Sequence, residues 1–408
     1  MAIALGVLAA IGSAAFLVVM AQGTDLLWEW LPSTLGLSEV PWWWVVLLLL
    51  IGAFLIMAAW RFGEGMGGPL EGFHFDVGPS HAVAALSVAL ATLIFGGVLG
   101  PEAPLIVVGT VIGGFVTRKQ SPQVQQMAMA LGGIAAISTI LGNPFVAAFF
   151  VLEFAALGAM PRQVLVPMFI AIGSGYLVLT GIGPFAGLGE VHLAVPGITA
   201  VDKLTFVDLG VGLAVAVVAG LAVLLSRTIG YATLRIAKKH PAPTIIGASL
   251  VIGILGTVGM MVFDLPYDIV PFSGETAMPT LVAEGNVFAA LFIVVAKAIA
   301  YGVSLGGGYR GGPIFPSTFI GVGVAVLIGL LLPSSSISSL IVAGIAAACA
   351  AMLKMPFSSG LLAVVLGAGA GMIVTPMAII GAIVGVLMRL AYDKATGHET
   401  SFPAPAAS

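Results

Sequence analysis

Long apolar runs, broken by glycine–proline segments more often than by charged loops, govern what this chain can fold into. The runs lie near 3–20, 43–60, 82–99, 104–117, 127–141, 145–159, 163–182, 207–232, 244–263, 286–303, 314–332, 336–353, 359–368 and 374–391. About 20 apolar residues cross a bilayer as a helix, so the shorter runs suggest half-spans or re-entrant helices. Charge agrees: Asp, Glu, Lys and Arg make up only 8% of the 408 residues, against roughly 25% in a soluble domain. Nonpolar residues make up 60% and mean hydropathy is +1.18. These figures exclude an ordinary soluble enzyme, a disordered chain and a nucleic-acid binder, and leave an all-α polytopic protein of the lipid bilayer. Such a protein does not expose broken backbone to lipid. The 55 glycines and 24 prolines therefore call for a protein-buried or cavity-lining role.

The longest polar stretch, Gly183–Asp208, carries Glu190, His192, Asp202, Lys203 and Asp208. It divides the chain into a first membrane repeat (1–182), a linker (183–206), a second membrane repeat (207–391) and a polar tail (392–408). Met1–Met20 lacks a positive start and reads as a first helix, not a cleaved signal. Arg61, Arg118, Lys119, Arg162, Arg235, Lys238, Lys239, Arg389 and Lys394 fall at ends that alternating threading puts on one face. By the positive-inside rule that face is cytoplasmic, both termini lie there, and the linker is external. The cell membrane is the expected location. An internal repeat is visible at an offset of 212 residues. Gly100, Pro104, Gly109, Gly132, Ala135, Ala136, Leu141, Pro144 and Phe145 map without a gap onto Gly312, Pro316, Gly321, Gly344, Ala347, Ala348, Leu353, Pro356 and Phe357. Duplicated halves with interrupted helices are typical of transporters, with the substrate site at the repeat interface; the sidedness predicts inverted halves.

Three breaks stand out. In Gly100-Pro101-Glu102-Ala103-Pro104 a carboxylate sits between two apolar runs. At mid-membrane it costs about 2.5–3.5 kcal/mol and needs a polar cavity or a function; a helix cap at a water-exposed loop would look the same. The matching segment, Gly306 to Pro316, offers amides at a helix start, a site for an anion without a full opposing charge. Arg310 lies within it, either attracting anions at a pore mouth or serving as a cap. The third cluster, Gly63 to Pro69, again ends in Gly-Pro.

In order along the chain, Gly65–Pro69 (GMGGP), Gly100–Pro104 (GPEAP) and Gly312–Pro316 (GPIFP) resemble the three anion-site motifs of the CLC chloride channel and transporter family, GSGIP, GREGP and GxFxP. The resemblance covers nearly the whole membrane domain. It implies an antiparallel inverted repeat of broken and re-entrant helices, a homodimer, and passage of a small inorganic anion, chloride foremost, through each subunit, with protons as a further partner. It makes Glu102 the gating and proton-accepting glutamate. It assigns anion binding to Met66, Gly67, Pro101, Ala103, Ile314 and Phe315. There are departures. Pro313 removes an amide donor. Met66 replaces a serine, as in some members of the fluoride-exporting branch, so a fluoride/proton antiporter is the alternative. Phe154 stands where exchangers carry an internal proton glutamate, with Glu153 one residue before it. Gly371 stands near the place of an anion-binding tyrosine. These losses also keep open a transport-inactive structural or sensing member.

Other signals are weaker. Lys297 and Lys354 interrupt apolar sequence as pathway counter-charges or, more commonly, as structural pairs or snorkelling side chains. Cys349 packs in an apolar run, and Gly173-Ser174-Gly175 reads as small-residue helix packing. Trp42–Trp44 reads as an interfacial belt. The five histidines, His74, His81, His192, His240 and His398, have no metal-ligand spacing and read as surface groups, so no metal and no cofactor is expected. No nucleophile–base pair lies in the apolar runs, which argues against an intramembrane enzyme.

Overall fold

Helices stop and restart where the Gly/Pro breaks lie. The computed structural model describes residues 1–62, 68–71, 79–156, 164–182, 194–333 and 335–398. In the first half α1 (Ala2–Asp25) runs through a π turn (Leu26–Trp30) into α2 (Leu31–Thr34). There follow α3 (Trp42–Ala59), α4 (Pro79–Ile94), α5 (Glu102–Val116), α6 (Pro122–Ser138), α7 (Pro144–Ala156) and α8 (Leu165–Ile182). The second half comprises α9 (Phe206–Ala237), α10 (Pro241–Phe263), α11 (Met278–Ala283), α12 (Val287–Gly306), α13 (Ile314–Leu331), α14 (Ile337–Leu353), α15 (Pro356–Leu366) and α16 (Thr375–Thr396). No strand occurs among the described residues.

Local chemistry sets many of these ends. Thr205 and Asp208 form a reciprocal capping box at the start of α9. Asp208 also accepts the Ser336 amide at 3.0 Å, tying the α9 start to that of α14. Asn286 caps α12 through the amides of Phe288 and Ala289. Prolines open α6, α10, α15 and α16, where their missing N–H removes no helical bond. Asp264, Lys354 and Gly397 end α10, α14 and α16 in left-handed backbone.

Seven helices are long and apolar enough to cross a bilayer among the described residues. Others are short, as the short runs predict: α5 has 15 residues and α15 has 11. At 1.5 Å per residue these reach about 22 and about 17 Å, less than a hydrocarbon core of about 30 Å. Both α5 and α13, and both α7 and α15, start 212 residues apart. The repeat extends to packing. Gly109 of α5 meets Gly132 of α6 backbone to backbone, and Gly321 of α13 meets Gly344 of α14 in the same way; a Cβ at any of the four would strike the partner's carbonyl.

α14 is buried over almost its whole length, enclosed by α9, α13 and α16. Outward faces are apolar as well, through Leu213, Leu221, Leu225, Ile254, Ile383 and Leu387. That is a lipid-facing surface, since water does not tolerate apolar patches of this extent. Trp42 and Trp43 lie on it, but Trp44 is buried and its indole N–H donates to the Leu27 carbonyl at 3.1 Å, so only part of the expected belt is interfacial. The Gly173–Gly175 segment packs α8 on α1, with Gly6 against Ala171 and Ser174.

Candidate anion site

The two halves touch at the breaks themselves. Gly100 and Gly312 form an antiparallel backbone bridge, with N–H···O distances of 2.8 Å and 2.5 Å. Each glycine is followed by a proline at the N-cap of a helix, Pro101 before α5 and Pro313 before α13. Proline recurs three positions on, at 104 and 316, and lacks an N–H at both places. The first turns therefore present only the amides of Glu102 and Ala103 on one helix and of Ile314 and Phe315 on the other.

Glu102, the first residue of α5, turns its carboxylate towards the other helix start. Its Oε1 accepts the Phe315 amide at 2.9 Å, and the amides of Ile314 and of Glu102 itself also act on the carboxylate. A negative group at converging helix N-termini is favoured by free N–H groups and by the positive dipole ends. The side chain is fully buried. A Cβ at Gly100 or Gly312 would overlap the carboxylate, so both motif glycines are required by its position. Its other oxygen, Oε2, has no hydrogen-bond partner among the described residues. Leaving a buried acceptor unsatisfied costs about 1–3 kcal/mol. Protonation or a transient donor at Oε2 would relieve it.

Behind the site lie polar groups that sequence reasoning missed. Tyr301 of α12 is fully buried and donates its O–H to the Pro313 carbonyl at 3.1 Å; the Ser317 hydroxyl donates to the same carbonyl at 2.7 Å. Thr318 lies 3.4 Å from the Cys349 sulfur. Tyr301 and Cys349 are close enough to sense the Glu102 charge. The signal available was the Ser-Thr pair directly after the third motif.

Known proteins resemble this chain in sequence and in fold. The sequence profile of the voltage gated chloride channels matches residues 66–383. The chain belongs to that family, the CLC family. Among its relatives is YfeO of Escherichia coli O139:H28 (strain E24377A / ETEC), 26% identical over 338 residues, covering 80% of this chain and 78% of YfeO; its own description as an ion-transport protein is provisional. In fold the chain is similar to a slow cyanobacterial Cl-/H+ antiporter, with TM-score 0.77, 17% identity and coverage of 98% of this chain and 95% of that one. It is also similar to a CLC-type fluoride/proton antiporter, with TM-score 0.67, 15% identity and coverage of 96% and 94%. CLC proteins are anion transporters, not enzymes, and the all-helical membrane fold with its inverted repeat follows the expectation.

The candidate residues of this CLC chain fall in different places. Glu102, Ala103, Ile314 and Phe315 come together at the seam. Met66 and Gly67 lie outside the described residues. Gly68, next to them, faces the Arg310 guanidinium, with Nη1 3.9 Å from where its Cβ would stand. The Arg310 amide donates to Thr92 Oγ1 at 3.0 Å and its Nη1 to the Tyr309 carbonyl at 3.2 Å. Pro101 is the N-cap residue of α5; it has no N–H, and its carbonyl accepts the Leu105 amide at 3.0 Å. Glu153 caps α15, accepting the amides of Phe357 (2.8 Å) and Ser358 (2.7 Å) and the Ser358 hydroxyl. Phe154 is buried beside it. Gly371 has φ +82°, a backbone that disfavours any side chain. Lys354 is a structural pair, 3.2 Å from Asp393, which also holds Arg389 at 2.7 Å. Among the described residues Lys297 has no carboxylate partner, and it does not snorkel: its Nζ is buried among the carbonyls of Ile269, Val270, Pro271 and Phe272.

Proposed function

We propose that this CLC protein exchanges chloride for protons, with Glu102 as gate and proton acceptor. The observation that carries the reading is the bond from the Phe315 amide to Glu102 Oε1 across the repeat seam. The carboxylate holds donors that would otherwise face an anion. Ionised, it competes with chloride for the amides of Ile314 and Phe315. Protonated, it is a weaker acceptor, leaves them, and opens the site. Backbone amides hold a small anion weakly enough to release it. Each return of the carboxylate expels an anion and sheds a proton. Flux accordingly rises as pH falls through the titration of Glu102.

On this reading the Arg61, Arg235 and Arg389 ends are cytoplasmic, both termini lie inside, the protein sits in the cell membrane, and two copies form the working dimer. Arg310, beside the first glycine cluster, draws anions towards the site. Fluoride is the second reading. It is favoured by Met66 in the first motif and by the likeness to a fluoride/proton antiporter. The test is flux from proteoliposomes loaded with chloride or fluoride, with and without a pH gradient. Chloride-driven proton movement is expected. Fluoride-driven movement alone selects the second reading, and no flux of either anion returns the chain to a structural or sensing role.

A further inference from the structure

The loop joining α10 to α11, residues 264–277, lies against the seam. Phe272 donates its amide to the Gly96 carbonyl at 3.2 Å, four residues before Gly100. Gly274 has φ +92°, and a Cβ there would run into the Phe319 ring, one helical turn beyond Phe315 on α13. The loop thus touches the first half on one side of Ser273 and the second half on the other, and Glu275 follows at once. Lys297 fixes the loop backbone. Its Nζ donates to four successive carbonyls at 3.0–3.2 Å and lies 4.5 Å from the centroid of the same Phe319 ring. Glu275 itself is exposed, yet its charge acts on the buried Glu102.

We infer that Glu275 is the carboxylate through which protons pass between the outer solution and Glu102. The inference rests on the proposed exchange at Glu102 and on the orientation that makes the α10–α11 loop external. The exposed carboxylate takes a proton from bulk water. Its O–H bond then breaks as a bridging water delivers a proton to Oε2 of Glu102, the oxygen without a partner. Glu275 is left ionised and reloads from outside. An ionised Glu275 disfavours a second negative charge at Glu102, which drives the transfer inward. The charged groups at this loop are Glu102 of α5, Lys297 of α12, whose donors are engaged by carbonyls, Asp25 and Glu29 beside Tyr267 at the end of the first helix, and Asp264 and Asp268 of the loop itself. Asp268 accepts the Thr276 hydroxyl at 3.2 Å and acts on Lys297.

The full-length protein, reconstituted in liposomes, tests this with anion and proton fluxes measured together over a range of external pH. Glu275→Gln is expected to lower proton flux about tenfold more than anion flux and to flatten the external-pH profile, as loss of a positioned proton carrier does. Glu275→Asp keeps a carboxyl and is expected to recover the profile. Anion flux in the same vesicles shows that each variant has folded. A Glu275→Gln protein with the unmodified flux ratio and profile, beside an unmodified protein that couples and a Glu102→Gln protein that does not, overturns this inference alone. Absence of coupling in the unmodified protein overturns it together with the exchange reading.

Discussion

Glu102 and Glu153 are two buried carboxylates of the first half, and each reaches the start of a second-half helix. Glu153 is fully engaged: two α15 amides and the Ser358 hydroxyl saturate it. Glu102 takes the Phe315 amide on one oxygen and leaves the other without a partner. The same residue type at the same kind of place is thus bonded through both oxygens in one case and through one in the other. What differs is how many donors the helix start supplies. α15 begins Pro-Phe-Ser, with two free amides and a hydroxyl after its proline. α13 begins Pro-Ile-Phe-Pro, with two amides enclosed by prolines and no hydroxyl.

The largest expected effect breaks the comparison at Glu102. Glu102→Gln abolishes pH-dependent gating and lowers coupled proton flux at least about 100-fold, since the amide that replaces the carboxylate takes up and releases no proton between the two helix starts; proton flux in liposomes measures it. Next, Glu153→Ala uncaps α15 and costs about 3 kcal/mol of stability, the loss of charge-assisted bonds in a buried place. It appears as a lowered Tm in detergent, with coupling per folded molecule retained. A change in coupling beyond the loss of folded protein would erase the distinction between the two carboxylates. Gly312→Ala puts a methyl group where the Glu102 carboxylate lies and pushes it off Phe315. It is expected to raise anion leak about tenfold at neutral pH, equivalent to about 1.4 kcal/mol of gate destabilisation. The smallest effect is Ser358→Ala, which removes one donor to Glu153, lowers stability by about 1 kcal/mol and leaves the pH profile unchanged.

Much of this was legible in the residues. Apolar runs and scarce charge identify a membrane protein, because lipid demands both. Equal offsets of Gly100 and Gly312, and of Pro144 and Pro356, announce duplicated helix breaks that the structure shows at those places. Glu102 stood out as a carboxylate at a break. Less was visible elsewhere. Lys297 looks from its neighbours like a pair or a snorkelling side chain, and its actual partners are backbone carbonyls more than 20 residues away. Backbone acceptors carry no side-chain signature, so no sequence pattern points to them. Tyr301 is one hydroxyl in an apolar run until α13 is laid across it.

The sequence by itself determined that this chain lies in a bilayer, that it is a CLC-like repeat, and where the two matching breaks at Gly100 and Gly312 fall. Periodicity, offset and helix-breaking chemistry are local properties that survive in one dimension. Only the tertiary structure decided which carboxylate is saturated and which is not. The donors to Glu102 and to Glu153 come from helix starts more than 200 residues away. Bonds that close so long a loop depend on how two halves dock, and backbone amides look alike in every residue until docking selects among them.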